Sequence, residues 1–412
     1  MMKRVVVTGI GAVTPIGNDI STFRKNLQAG VNGIAPITRF DTADWKYKLA
    51  AEVKGFDPMQ RLDKNTVRKT DRFVQYALYA AEEAMEDSGI SGNIDRFRLG
   101  VYFGSGIGGF ETFCEDHQHL LESGIRKVSP QFISKMISNI AAGNIAIRYG
   151  ANGPCLSLTT ACATGTTAIG EAFRAIRFGY ADAIICGGSE AAITPLSVAG
   201  FGNCMALSAS SDPDAASLPF DRRRAGFVMG EGAGALILEE YEHAVNRNAH
   251  IYAEVCGYGS TCDAHHVTAP DPGAESSARA ISDALREAAA EEESQIYINA
   301  HGTGTSLNDK TETLAIKKAL GEKLSHRIKI SSTKSMTGHM LGAAGAVEAI
   351  ACIFTLESGI IAPTINLLEP DPECDLDYTP QKSVSADIRL TLSTSLGFGG
   401  HNSCIALKKT VN

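Results

Sequence analysis

The sequence predicts an α/β layered fold. Three observations carry that prediction. Short apolar runs alternate with longer helical patterns, two Ala/Gly-rich helical segments lack charges over most of their length, and glycines cluster in loops rather than in a linker. Residues 5–8, 99–103, 156–159, 183–186, 296–299, 328–331 and 390–393 read as strands. Residues 72–88 read as a helix: Phe73, Val74, Ala77, Leu78, Ala81, Ala84 and Met85 share one face, and Gly89 is a stop signal. Residues 275–290 behave likewise through Ala280, Ile281, Ala284, Leu285 and Ala288. The segments 163–178 and 340–356, which lack charges over most of their length, are expected to lie buried between two sheets, since a surface helix needs a polar face.

The glycine-rich stretches Gly104-Ser105-Gly106-Ile107-Gly108-Gly109, Gly230-Glu231-Gly232-Ala233-Gly234 and Gly397-Phe398-Gly399-Gly400 read as loops. No low-complexity tail or Ser/Pro-rich hinge separates them, which favours one compact body. An internal echo points to duplication. Thr159-Thr160-Ala161-Cys162-Ala163-Thr164-Gly165 and Ser332-Thr333-Lys334-Ser335-Met336-Thr337-Gly338 each follow a strand and open onto an Ala/Gly-rich segment. The division falls near residue 250, giving halves 1–250 and 251–412.

Composition bounds the function. The 412 residues include 38 Lys plus Arg and 46 Asp plus Glu, a net charge of −8, with 44% hydrophobic and 20% charged residues. Those values argue against disorder and against a general nucleic-acid binder, which would carry a basic surplus. No uncharged apolar run reaches the ~18 residues of a membrane span. The start, Met1-Met2-Lys3-Arg4-Val5-Val6-Val7, is broken by Thr8, Gly9, Gly11, Thr14 and Pro15, so it reads as a buried first strand rather than a signal peptide. Ten cysteines form no C-x-x-C pair, and several sit in apolar runs, as Cys186 and Cys352 do. That usage suits free thiols in a reducing space, and the cytoplasm is the expected location.

Four predicted strands end at residues with reactive or backbone-donor character: Cys162, His301, the stretch from Lys334 to His339, and the Gly397–Gly400 loop. Ligands gather at the carboxyl ends of strands in open α/β sheets, so the four ends are candidates for one pocket. Cys162 sits between a strand and a helix start, where unpaired N–H groups favour thiolate. His301 and His339 stand in Gly/Thr-rich turns placed for hydrogen bonding, whereas His265, His266 and His401 lack comparable anchoring. A zinc site of Cys162, His301 and His339 has no ligand-spacing motif behind it. The Gly397–Gly400 loop offers N–H groups able to complete an oxyanion hole with that of Cys162. No P-loop run exists, and Gly104–Gly109 fails the dinucleotide fingerprint on spacing. Arg61, Lys64, Arg68 and Arg72, spaced 3, 4 and 4, are expected on one helical face with Lys69 beside it, either steering an acidic partner or simply solvated.

Together these residues resemble the β-ketoacyl-acyl carrier protein synthases, nearest to the synthase II type of bacterial type II fatty acid synthesis. The resemblance rests on Thr160-Ala161-Cys162-Ala163-Thr164-Gly165, His301-Gly302-Thr303-Gly304-Thr305, Lys334-Ser335-Met336-Thr337-Gly338-His339 and Gly397-Phe398-Gly399-Gly400, and it spans essentially the whole chain. It implies a thiolase fold: two similar halves stacked as five layers, α-β-α-β-α, usually a homodimer. It also implies a Cys162, His301, His339 active site, with Lys334 and Glu348 in support and Phe398 as a gate. Thr268, Thr303, Thr305, Gly397 and Gly399 would bind substrate. Ile107 and Phe132 would line an acyl pocket, and Lys64, Arg68 and Lys69 would meet the acidic acyl carrier protein. No resident cofactor or metal is implied, because the carrier protein brings its own phosphopantetheine.

Two positions depart from the family pattern. Thr394 stands where Asn is usual, so the anchoring role of that Asn does not carry over, and Gly304 replaces a common Ser. For Lys334, a fixed charge serving the site and a purely architectural pair with Glu348 are equal alternatives. Three rivals share parts of the pattern. A degradative thiolase needs a second cysteine in the C-terminal Gly-rich loop, where this chain has Phe398, with Cys404 outside it. A polyketide ketosynthase shares the catalytic residues. An inactive chain-length subunit would lack the nucleophile.

Overall fold

The computed structural model describes residues 2–410. Its main sheet has ten strands in the order Lys329–Ser331, Ile296–Asn299, Leu390–Gly397, His401–Lys408, Ala253–Cys262, Val5–Val13, Gly232–Glu240, Ala183–Glu190, Leu99–Gly104, Cys155–Leu156. The first five strands in the chain lie in the order third, second, fourth, fifth, first. The next five repeat that order. In each set the third, second and fourth strands are parallel and the last two run antiparallel. The two sets meet where Val5, Val6 and Val7 pair with Val255, Glu254 and Ala253.

Three apolar cores give five layers. The central core holds the helices Thr164–Arg177 and Ala344–Ser358 between the two sets of strands, through Ile169, Phe173, Ile350 and Phe354 packed on Leu236, Leu238, Ile405 and Leu407. A second core packs helix Arg72–Ser88 on Ala235 and Ile237, and a third packs Glu275–Glu287 on Leu392 and Ala406. Strand residues therefore alternate between the central and an outer core, and both faces are buried. Leu341–Ser358 would pass for a membrane span by length and composition, yet it is almost wholly enclosed here.

Helix Arg72–Ser88 ends where expected, on Gly89 in the left-handed region. The second helix stops at Glu287, three residues short of the expected end. The strand beginning at Val5 runs on to Val13 through the glycines that looked like breaks. Those glycines admit a helix: a Cβ on Gly9 would lie 2.2 Å from the carbonyl oxygen of Ala84, and one on Gly11 would lie 2.1 Å from that of Ala80. For a similar reason Gly232–Glu240 is a strand although its start reads as a loop, since Gly234 lies against the backbone of Ala346. Of the expected strand at 156–159 only Leu156 is in a strand, the two-residue Cys155–Leu156.

The internal echo needs a different register. Ala161–Ala163 and Leu341–Ala343 are matching short turns that feed the two central helices. Their first residues share an uncommon backbone, with Ala161 at φ 49° and Leu341 at φ 47°. The counterpart of Cys162 is therefore Gly342, seven positions beyond the Ser335 that the sequence echo had aligned with it. The basic face is corrected too. Asp63 and Asp71 cap two separate helices, Lys64–Lys69 and Arg72–Ser88, so no continuous helix spans the four cations. Arg61 pairs with Glu86 and Arg72 with Glu111, while Lys64, Arg68 and Lys69 stay exposed.

Candidate active site

Cys162 stands in the Ala161–Ala163 turn at the head of helix Thr164–Arg177. The turn is tied by Thr160 N–H to Thr164 Oγ1 (2.9 Å) and by Ala163 N–H to the Thr160 carbonyl (3.0 Å). The N–H groups of Phe398 and of Cys162 itself, with the Lys334 charge, pull the thiol's pKa down; burial works against them and wins, pushing it up to about 12. The expectation of a resting thiolate is thus reversed. Cys162 still touches solvent through the pocket, but the helix terminus does not offset desolvation of the sulfur. The same two amides converge where an oxyanion would form on attack.

His301 and His339 line the same cavity as Cys162, with ring centroids 5.2 Å apart at 86°. Burial and then the Lys334 charge hold both imidazoles well below the usual 6.5, so both are neutral at working pH. A neutral ring keeps one N–H to donate. Their Nδ1 atoms have no hydrogen-bond partner among the described residues. His339 is fixed through its backbone: its N–H donates to Val228 (2.7 Å) and its carbonyl accepts from Gly230 (2.8 Å).

His301 is held by a residue the sequence reading missed. Glu312, buried on helix Ser306–Leu320, accepts from the N–H groups of His301 and Gly302, each at 2.7 Å. Thr394 donates to Glu312 at 2.7 Å and accepts from His301 N–H at 3.2 Å. Thr394 thus anchors the loop at the position where the family's Asn was missing. Burial pushes the Glu312 carboxyl up to about 7. In sequence Glu312 is one acid on an ordinary polar helix, and only burial sets it apart. Gly304 is also accounted for: it sits at φ 80°, and its N–H donates to Asp309 at 3.2 Å, so the loop is pinned rather than loosened.

Lys334 is 1% exposed and pairs with the equally buried Glu348. Burial raises the Glu348 carboxyl's pKa against the pull of Lys334. Because Lys334 also acts on Cys162, His301 and His339, its charge reaches every reacting group.

The cavity above these groups has a volume of about 350 Å³, and Thr268, Thr303, Thr305, Gly397 and Phe398 line it. Its rim is stitched: Gly399 N–H donates to Val267 (2.7 Å), and Asp263 N–H donates to Gly400 (2.8 Å). The Phe398 ring lies 6.4 Å from Phe201, a neighbour the sequence gave no reason to select. Ile107 and Phe132 lie outside this cavity. Ile107 packs with Cys162 and Phe201 around one apolar cluster, and Phe132 opens the short helix Phe132–Met136. His265, His266 and His401 do not line the cavity. Among the described residues no group of three or more His, Cys, Asp or Glu comes together as a set able to hold a metal ion.

Many known proteins are similar to this chain in sequence or in fold. Residues 2–244 match the β-ketoacyl synthase N-terminal domain and residues 252–368 the β-ketoacyl synthase C-terminal domain. The chain belongs to the β-ketoacyl synthase family. This synthase is 51% identical over 409 residues to the 3-oxoacyl-[acyl-carrier-protein] synthase 2 of Synechocystis sp., covering 99% of this chain and 98% of the relative. Among solved structures it superposes on the ishigamide ketosynthase/chain length factor with a TM-score of 0.93 at 37% identity, covering 100% of both chains. It also superposes on a ketosynthase held in complex with a type II PKS acyl-carrier protein, with a TM-score of 0.91 at 36% identity over 100% of both chains. The fold is the expected thiolase fold, and this chain is a condensing acyltransferase of that class.

Proposed function

We propose that this chain is a 3-oxoacyl-acyl carrier protein synthase that lengthens fatty acyl chains by two carbons. The observation that carries the reading is one open cavity holding Cys162, two backbone N–H groups aimed at its sulfur, and two neutral buried imidazoles. The curated relative's name favours fatty acid over polyketide substrates, since the likeness to it is stronger than to either ketosynthase structure.

The chemistry follows from the geometry. Cys162 sulfur attacks the carrier-bound thioester as its proton leaves, because a thiol near 12 holds little standing thiolate. The oxyanion rests on the N–H groups of Cys162 and Phe398, the carrier thiol departs with a proton, and the acyl chain stays on sulfur. Malonyl-carrier then loses carbon dioxide, and the electron pair left behind forms an enolate. Its oxygen takes N–H bonds from His301 and His339. The enolate carbon attacks the acyl-cysteine, a carbon–carbon bond forms, and the Cys162 sulfur is released. No step calls on a resident cofactor.

Purified His301→Ala and His339→Ala are expected to form the acyl-enzyme but to decarboxylate malonyl-carrier at least about a hundredfold more slowly, the loss typical of removing one oxyanion donor. Carbon dioxide release at the parent rate in both variants overturns the enolate role.

The partner in this reading is acyl carrier protein, docking on the exposed Lys64, Arg68 and Lys69. A carrier complex of a structural neighbour supports it. Lys64→Glu with Arg68→Glu should raise KM for carrier substrates roughly tenfold, more at low salt, with kcat unchanged. A steady KM returns these residues to a solvated face. We also infer a homodimer. The edge strand Cys155–Leu156 has one free side, and apolar groups stand exposed around it, with Leu156 47% and Phe178 59% accessible. The ten cysteines are all free thiols, which fits the reducing cytoplasm we infer as the location.

A further inference from the structure

Glu190 ends the strand Ala183–Glu190 and is completely buried. Its carboxylate receives four donors from two separate loops. Oε1 accepts from Ser105 Oγ (2.8 Å) and Ile107 N–H (3.2 Å), and Oε2 accepts from Gly106 N–H (2.9 Å) and Gly342 N–H (3.0 Å). Ser105 Oγ in turn accepts from Gly108 N–H at 3.0 Å. One side chain thus sets the backbone of the loop that carries Ile107.

The donor set is informative. Gly342 is the second-half counterpart of Cys162, with the same short turn and the same positive-φ residue before it. The N–H of Cys162 faces a sulfur and the substrate cavity, whereas the equivalent N–H of Gly342 is bound to a carboxylate. Glu190 stands where a reacting oxygen stands in the working half. A Cβ at position 342 would lie 2.5 Å from Gly106 N and 2.9 Å from Glu190 Oε2, so no side chain fits there while the tether is in place. The chain uses the second donor turn as a fixed post.

What the post holds is Ile107. That residue and Cys162 pack against the same apolar cluster, which includes Leu341, and the loop approaches the nucleophile's turn: a Cβ on Gly106 would lie 3.6 Å from the Ala161 carbonyl oxygen. We propose that Glu190 is a positioning residue that clamps the Ile107 loop to the Gly342 turn and thereby sets acyl chain-length discrimination. The inference rests on the condensing function proposed above. An isolated structural anchor would affect every substrate alike, while a clamp on the acyl side affects long chains differently from short ones.

The test uses the full-length enzyme with acyl carriers of about six and about sixteen carbons, since discrimination is read as a ratio of kcat/KM values. Glu190→Gln replaces one acceptor oxygen by an NH2 group that faces N–H donors. It should shift the long-to-short ratio of kcat/KM at least about fivefold, with KM for malonyl-carrier held within about twofold. In the Ile107→Ala background the same change should leave the ratio where Ile107→Ala alone puts it, because both act through one side chain. Should Glu190→Gln fail to fold, Ser105→Ala removes one donor and keeps the carboxylate, and its ratio should move in the same direction by about twofold. An equal fall of kcat/KM for both chain lengths, or an unmoved ratio in Ser105→Ala, overturns the clamp. A parent enzyme that elongates neither carrier sinks the condensing function instead, so the two failures are distinct.

Discussion

Replacing Cys162 by alanine abolishes chain elongation, with turnover expected to fall at least about a thousandfold because the residues of such a site act as a unit. No other thiol can substitute. Cys204 also lines the cavity, as an exposed residue, but the Phe398 and Cys162 amides bond to the sulfur of Cys162. Intact-mass measurement with acyl carrier should show one acyl adduct on the parent and none on Cys162→Ala. An undiminished elongation rate or a retained adduct removes the nucleophile assignment. The raised thiol pKa adds a second readout. With the value near 12, the thiolate fraction grows about tenfold per pH unit across the working range. The rate of Cys162 alkylation by iodoacetamide should therefore keep rising between about pH 7 and about pH 10, with no plateau near neutrality. A plateau below about pH 8 would falsify the claim that burial outweighs the amide dipoles.

Lys334→Met carries the second large effect. It strips the partner from a fully buried carboxylate, and breaking such a pair costs about 3–5 kcal/mol. Adding Glu348→Gln removes the stranded charge, so the double variant should recover most of the lost Tm. Activity behaves differently. Lys334 is one of the causes that hold His301 and His339 below 6.5, so its loss raises both values toward 6.5. The imidazolium then forms at higher pH, and the acid limb of the condensation profile moves upward. Recovery of Tm without recovery of activity assigns Lys334 to the chemistry. Recovery of both returns it to architecture. The parent enzyme has its own stability signature. Neutral buried histidines contribute stability that is present above about 6.5 and is lost as pH falls below it toward their folded values.

Much of this was legible in the sequence because it was written in local pattern. The face of helix Arg72–Ser88, its glycine stop and the charge-poor central helices each depend on residues a few positions apart. The reactive residues were readable because strand ends gather function. What stayed hidden depended on contacts distant in sequence. Gly9 and Gly11 resemble a break until a helix more than sixty residues away lies across them. Glu312 and Glu190 resemble ordinary surface acids until the chain encloses them. The thiol of Cys162 was read from its helix terminus alone, and the opposing effect, loss of water around the sulfur, is a property of the assembled cavity.

The repeated strand order has a further consequence for how this chemistry could have arisen. The sulfur belongs to the earlier repeat and both imidazoles to the later one, so neither unit alone holds a complete reaction centre. Two identical ancestral units placed face to face would have offered two equivalent seams. In one chain the two seams differ: one holds a sulfur, and the other is filled by the buried side chain of Glu190. A single polypeptide of this design handles one growing chain at a time.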